Sequence, residues 1–302
     1  MMQTTQSITK SNALTQATGT RIHLDKVTRM GGWLLFYLLL IGLSLVFAMP
    51  LIWALSTSLK TEPQVYVVPP IWIPNPIQWE NYPNALTRVP FFRYMMNTLR
   101  IAIPSVFGTV LSCTLAAYGF SRIQWRYREL FFFLCISTMM IPYQVTMVPL
   151  FVIFKNLGWI NTYLPLVVPA FFGNAYYIFL LRQFLLTIPQ ELSDAARVDG
   201  CSDWTILTRI IIPLSVPAIA VVALLHFLFA WNDYLGPLLY VGRDDLFTVA
   251  LGLARFQAGG HSQANWSYLM AASVATIVPA LLLFFFTPKT CIEGITLSGI
   301  KG

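Results

Sequence analysis

Few side chains in this sequence are equipped for covalent chemistry, and those few are scattered. The 302 residues include 12 Asp and Glu, three His and four Cys. The cysteines stand at 113, 135, 201 and 291 without a CxxC pair, which supports neither a disulfide framework nor a zinc site. No GK[ST] phosphate loop, GxSxG or HExxH occurs, so the residues for ATP hydrolysis and for the common hydrolytic mechanisms are missing. We therefore expect no catalytic residue, no metal and no cofactor bound by this chain. The polar groups worth weighing sit in or beside apolar runs. Gln144 (in MMIPYQVTMVP) and Asn174 lie within such runs. Asp233 ends another, HFLFAWNDYLGPLLY, with Trp231 and Asn232 beside it and His226 seven positions earlier. Groups of this kind next to lipid face a bundle interior or a water-filled path, and amide–aromatic surfaces suit sugar rings and hydroxyls. Two other roles compete: hydrogen bonding between packed spans, and, for Asn232-Asp233, satisfying backbone donors at a helix end.

The elements that must hold these residues are membrane spans. The chain is 57% hydrophobic and 10% charged, against about a quarter charged in a soluble domain. We expect an all-α integral membrane protein with six transmembrane helices, at about 33–55, 101–119, 130–154, 163–181, 214–235 and 266–288. Each is long enough, since about 20 residues cross the hydrocarbon. Residues 1–32 read as a polar tail and 289–302 as a second one. Residues 60–94 are too rich in proline to span and read as an outer loop, with Trp72 and Trp79 at the interface and a short helix near Asn84–Arg88. Pro142 and Pro149 interrupt the third span. Of the 19 Lys and Arg, twelve fall on one side and seven on the other when the N-terminus is placed inside. That bias predicts N-in and C-in. It also accounts for the net charge of +7 without nucleic acid, because the basic residues are spread over short loops.

The longest polar interruption after residue 95 is Pro189–Pro217, PQELSDAARVDGCSDWTILTRIIIPLSVP. It reads as two short helices joined at a glycine. Pro189 suits a first helical position, and Glu191 and Asp194 favour the first turn of that helix. Leu192, Ala195 and Ala196 share one face, with Glu191, Asp194 and Arg197 on another. Gly200 supplies a left-handed stop. Ser202 caps a second helix carrying Trp204, Leu207 and Ile211 along one side and ended by Pro213. Asp199 opposes the dipole of the first helix, so we expect it to accept N–H groups of the second through an Asx-type turn and thereby set the angle between them.

This stretch resembles the EAA loop of permease subunits of binding-protein-dependent ABC importers. The pattern stands here as Asp194-Ala195-Ala196-Arg197-Val198-Asp199-Gly200-Cys201, with Pro213-Leu214 and Pro217 at the family's spacing. Asp194 replaces the usual Glu and Cys201 the usual Ala. The segments WIPNPIQWENY and WNDYLGP are similar to the sugar-permease branch, and Gly294–Gly302 resembles the end of the maltose-type permease. The resemblance implies an inner-membrane permease for a carbohydrate or polyol, paired with a second permease subunit. It further implies two copies of a cytoplasmic ATPase holding ATP and Mg, and an extracytoplasmic solute-binding protein. On it the 189–213 knob, through Glu191, Asp194, Ala195, Ala196, Arg197, Asp199, Gly200, Cys201 and Pro213, docks on the ATPase. Gln144, Asn174, Trp231, Asn232 and Asp233 line a solute path or gate, and Gly299, Lys301 and Gly302 reach toward the ATPase. The rivals are a self-contained secondary transporter or channel, which needs coupling ionisable groups deep in the spans, and a membrane-embedded enzyme.

Overall fold

The computed structural model of the protein describes residues 32–257 and 265–286. All regular structure among them is helical, as expected. Gly299, Lys301 and Gly302 and both terminal tails lie outside the described residues. The chain divides into two units, Met1–Ser56 and Thr57–Gly302. The first holds nearly all of α1, Gly32–Ser58. No charge interrupts Met30–Leu59, and 27 residues at 1.5 Å each give about 40 Å, more than the hydrocarbon core requires.

In the second unit α2 (Glu62–Val65) and α3 (Asn81–Arg88) form within the proline-rich loop. The helix α4, Phe91–Ser121, is the spine of the unit. It runs ten residues further toward its N-terminus than the expected span, through FFRYMMNTLR, where tertiary burial of Phe91, Tyr94, Asn97 and Thr98 overrides a middling propensity. Ala102, Ser105, Thr109, Cys113 and Ala117 recur along α4 at helical spacing, and all are buried. Small residues on one stripe let neighbouring backbones approach closely.

The third expected span is not one helix. It comprises α5 (Arg128–Ser137), a 3-10 turn and α6 (Tyr143–Asn156), bent by 96°. The break falls at Ile141-Pro142, since the residue before proline is pushed to extended backbone (Ile141 ψ 113°). Pro149, expected to interrupt as well, lies inside α6. The fourth span is also jointed. It consists of α7 (Leu164–Val167), a 3-10 turn to Phe172, and α8 (Ala175–Thr187). The joint is Gly173, whose φ of 86° lies in the left-handed region open to glycine.

Beyond α8 come α9 (Gln190–Val198) and α10 (Asp203–Ile206), which continues through a π-turn, Leu207–Ile211, into α11 (Ile212–Asn232). Pro213 therefore does not end the second knob helix. The Ile212 amide donates to the Leu207 carbonyl, one residue further back than in an α-helix, and that wider turn lets Pro213 enter α11 without stopping the chain. The short helices α12 (Leu235–Tyr240) and α13 (Val249–Gln257) precede the last span, α14 (Trp266–Phe286). Among the described residues five helical stretches are long and apolar enough to cross a membrane, or six with the bent pair counted as one span.

Two cores sit at opposite ends of α4. One joins Cys113, Ala117 and Tyr118 of α4 to Leu181 and Leu185 of α8, Ala196 of α9 and Ile206, Ile211 and Val222 of the α10–α11 run. The other joins Phe91 and Tyr94 to Ala85, Phe247, Val249 and Leu269. At that far end Asn97 donates to the carbonyls of Asp245 (2.9 Å) and Phe247 (3.1 Å), and Thr98 accepts from the Val249 amide (3.0 Å). A further helix, α13, lies between the fifth and sixth expected spans. Thr248, followed by VALGLARF, is the capping and apolar pattern that marks α13.

Candidate functional site

The 189–213 stretch folds as two helices around a glycine. Pro189 stands one position before the helix, at the N-cap of α9. At the other end of α9, Gly200 adopts φ 81°. The Cys201 amide donates to the Ala196 carbonyl (2.9 Å) and the Gly200 amide to that of Arg197 (3.0 Å). These two bonds make a Schellman motif. Ser202 then caps α10, its hydroxyl accepting from the Thr205 amide at 3.3 Å.

Asp199 does not play the part expected of it. Its side chain is exposed and makes no described hydrogen bond to α10. The acid that ties the two knob helices is Asp203, which the sequence reading did not single out. Arg197 donates to Asp203 at 3.1 Å and to Asp194 at 3.0 Å, and the Asp203 bond raises Arg197 further above its ordinary pKa. Tyr118 of α4 donates to the Asp203 carboxylate (3.3 Å) and carbonyl (3.2 Å). The competing principle is the backbone itself: the Schellman bonds already satisfy the turn, which leaves nothing for an Asx turn to do.

The buried faces differ from expectation as well. On α9 it is the small Ser193 and Ala196 that are buried, while Leu192 and Ala195 face outward. Small residues beneath allow α9 to lie close to the inner core. Ile206, Leu207 and Ile211 are buried, but Trp204 is 63% exposed; it sits in the first turn of α10, where side chains lean back past the helix N-terminus. The crown of the knob therefore presents Leu192, Val198 (89% exposed) and Trp204 among Glu191, Asp194, Asp199 and Gly200. Cys201 is half-buried beside them. The crown is thus a patch of exposed apolar groups ringed by acids. Among the described residues no cluster of three His, Cys, Asp or Glu could hold a metal.

Beneath the knob two arginines exchange partners between helix ends. Arg122, just past the end of α4 and 2% exposed, donates to the Leu185 carbonyl, to that of Ile188 (2.6 Å) and Pro189 (3.4 Å), and to the Gln190 side chain (2.9 Å). Burial lowers its pKa from the usual arginine value, yet a guanidinium stays charged. Arg182, in α8, donates to the Phe120 carbonyl of α4 (3.0 Å) and to both oxygens of Glu129 (2.9 Å), and lies 4.0 Å from the centre of the Phe132 ring. Each helix thus receives a cation at its C-terminal, negative end from the other. From sequence alone Arg122 and Arg182 count only among the basic residues whose bias orients the protein.

No described hydrogen bond or ring contact joins Gln144 or Asn174 to the Trp231–Asp233 segment, and four of the five residues have structural occupations. Asn174 caps α8, accepting from the amides of Tyr176 (3.0 Å) and Tyr177 (3.4 Å). Trp231 is buried and its indole donates to the Thr276 carbonyl of α14 (3.2 Å). Asn232 turns back to Leu228 (2.8 Å), and Asp233 accepts from the Gly236 amide (3.0 Å) at the start of α12. Gln144 is exposed in the first turn of α6. His226 packs edge-on against Tyr177, ring centres 5.7 Å apart.

Comparison with known proteins agrees with this architecture. The family described as binding-protein-dependent transport system inner membrane component matches residues 108–288. The arabinooligosaccharides transport system permease protein AraQ of Halalkalibacterium halodurans is 34% identical over 233 residues, covering 77% of this chain and 82% of that one. The sulfoquinovosyl glycerol transport system permease protein SmoH of Agrobacterium fabrum is 32% identical, covering 84% and 88%. The sn-glycerol-3-phosphate transport system permease protein UgpE of Escherichia coli O1:K1 is 29% identical, covering 87% and 96%. In fold, the chain is similar to a solved bacterial ABC transporter involved in the import of the acidic polysaccharide alginate (TM-score 0.74, 24% identity, 86% and 96% covered). With the family's match running from the middle of α4 through α14, knob included, the chain belongs to the inner membrane components of binding-protein-dependent transport systems.

Proposed function

We propose that this chain is one permease subunit of an ATP-driven importer for a carbohydrate or polyol. It works beside a second permease chain, two copies of a cytoplasmic ATPase that holds the ATP and Mg, and an extracytoplasmic solute-binding protein. The observation that carries the reading is the knob, a folded helix–Gly–helix unit with an exposed apolar crown. The names of AraQ, SmoH and UgpE support the solute class. The charge bias supports an N-in, C-in orientation with the knob in the cytoplasm. Closure of the ATPase pair pushes on the crown, and the spans turn from inward-open to outward-open, the two states differing in their contacts with the ATPase.

A self-contained transporter needs ionisable groups along a path; His226, buried between Tyr177 and Phe229, is the nearest thing to one. Reconstitution separates the two. With all partners present, solute uptake should require ATP, and Val198→Asp with Trp204→Asp should abolish retention of the ATPase during purification. Uptake by this chain alone, without ATP, would overturn the proposal.

A further inference from the structure

The joint between α8 and the knob is weak by itself. Ile188 (ψ 131°) and Pro189 (ψ 135°) are both extended, so helical bonding stops at α8 and resumes only in α9. Proline also contributes no donor there. A push on the knob reaches α11 directly through the continuous α10–α11 run, but it reaches α8 only across this joint.

One side chain crosses it. Arg122 bonds the carbonyl of Leu185 before the joint, those of Ile188 and Pro189 within it, and the Gln190 side chain after it. Its own carbonyl accepts from Arg197 of α9 (3.5 Å). A guanidinium forks to four acceptors from one planar group, which a lysine ammonium does not. No carboxylate pairs with Arg122 among the described contacts; backbone carbonyls carry the burden of a buried charge that would otherwise be expensive.

We propose that Arg122 is the positioning residue that makes the knob and the adjoining ends of α4 and α8 one rigid body, so that force at the knob reaches α4 and α8 together with α11. The inference rests on the importer reading above. Its test is the coupling ratio, solute imported per ATP hydrolysed, measured on assembled transporter in proteoliposomes. Arg122→Gln should lower that ratio at least fivefold in complexes that retain the ATPase, and Arg122→Lys should restore only part of it. A purely structural role would reduce the amount of complex and leave the ratio of the survivors alone; a ratio within twofold of wild type for Arg122→Gln overturns the proposal. Where Arg122→Gln fails to assemble, Gln190→Ala removes a single branch of the clamp, and an unchanged ratio there overturns it equally. Failure of the importer reading looks different, since the wild-type complex would then show no ATP-driven uptake.

Discussion

The two ends of α4 are fastened by different chemistry. At the knob end the buried work is done by cations on carbonyls: Arg122 on the end of α8, Arg182 on the end of α4. At the far end neutral side chains do it, Asn97 and Thr98 holding the 245–249 backbone and Asn81 donating to the Lys60 carbonyl (2.8 Å). Helix polarity explains the division. The C-termini of α4 and α8 meet at the knob and attract positive charge. The N-terminus of α14 lies at the other end and receives an acid, with Glu62 accepting from the amides of Trp266 (3.2 Å) and Ser267 (3.4 Å). Charged bonds are the stronger kind; those made by buried arginines lie where the protein meets its proposed motor, whereas the far-end pairs Arg243–Asp245 and Arg255–Asp244 are exposed.

That contrast can be broken or sharpened by substitution. The largest expected effect is at Arg182→Ala, which strips the Phe120 carbonyl and the Phe132 ring of their partner. We expect about 3 kcal/mol of destabilisation, read as a lower thermal midpoint of the purified complex and partly recovered by Arg182→Lys. Next is Asn97→Ala at the far end, which leaves two carbonyls unsatisfied at about 2 kcal/mol. Uptake per folded complex should stay near wild type there, and a loss of coupling as large as that at Arg122 would erase the distinction between the ends. Glu62→Gln should cost at most about 1 kcal/mol, an effect that shrinks in high salt. The smallest effect is within the knob. A double-mutant cycle of Arg197→Gln and Asp203→Asn should give a coupling of about 0.5 kcal/mol, because both partners are partly exposed. Asp199→Ala should leave the thermal midpoint unchanged, though it lies on the proposed docking crown.

What was legible in the sequence was local. Gly200, Ser202 and the acidic first turn announce a helix–Gly–helix unit because each acts within four residues of itself. The spans were legible because lipid demands long apolar runs. Asp199 was misassigned because spacing along the chain cannot tell whether the backbone has already satisfied a turn. Pro142 and Pro149 look alike in sequence, and only the first breaks its helix; likewise Pro213 is passed by a π-turn that no pattern of residues signalled. Arg122 was invisible as a clamp since its acceptors lie more than sixty residues away.

The length of α4 has a mechanical consequence. Thirty-one residues make a shaft of about 46 Å, longer than the hydrocarbon core is thick, with a packed hub at each end. A tilt of about 10° imposed at one hub would carry the other sideways by about 8 Å, on that same length. Pro104 lies inside this shaft and leaves one bond missing from its ladder. Flexing under load would concentrate there, on the stretch between the hubs, and the hub far from the knob would swing without being unpacked.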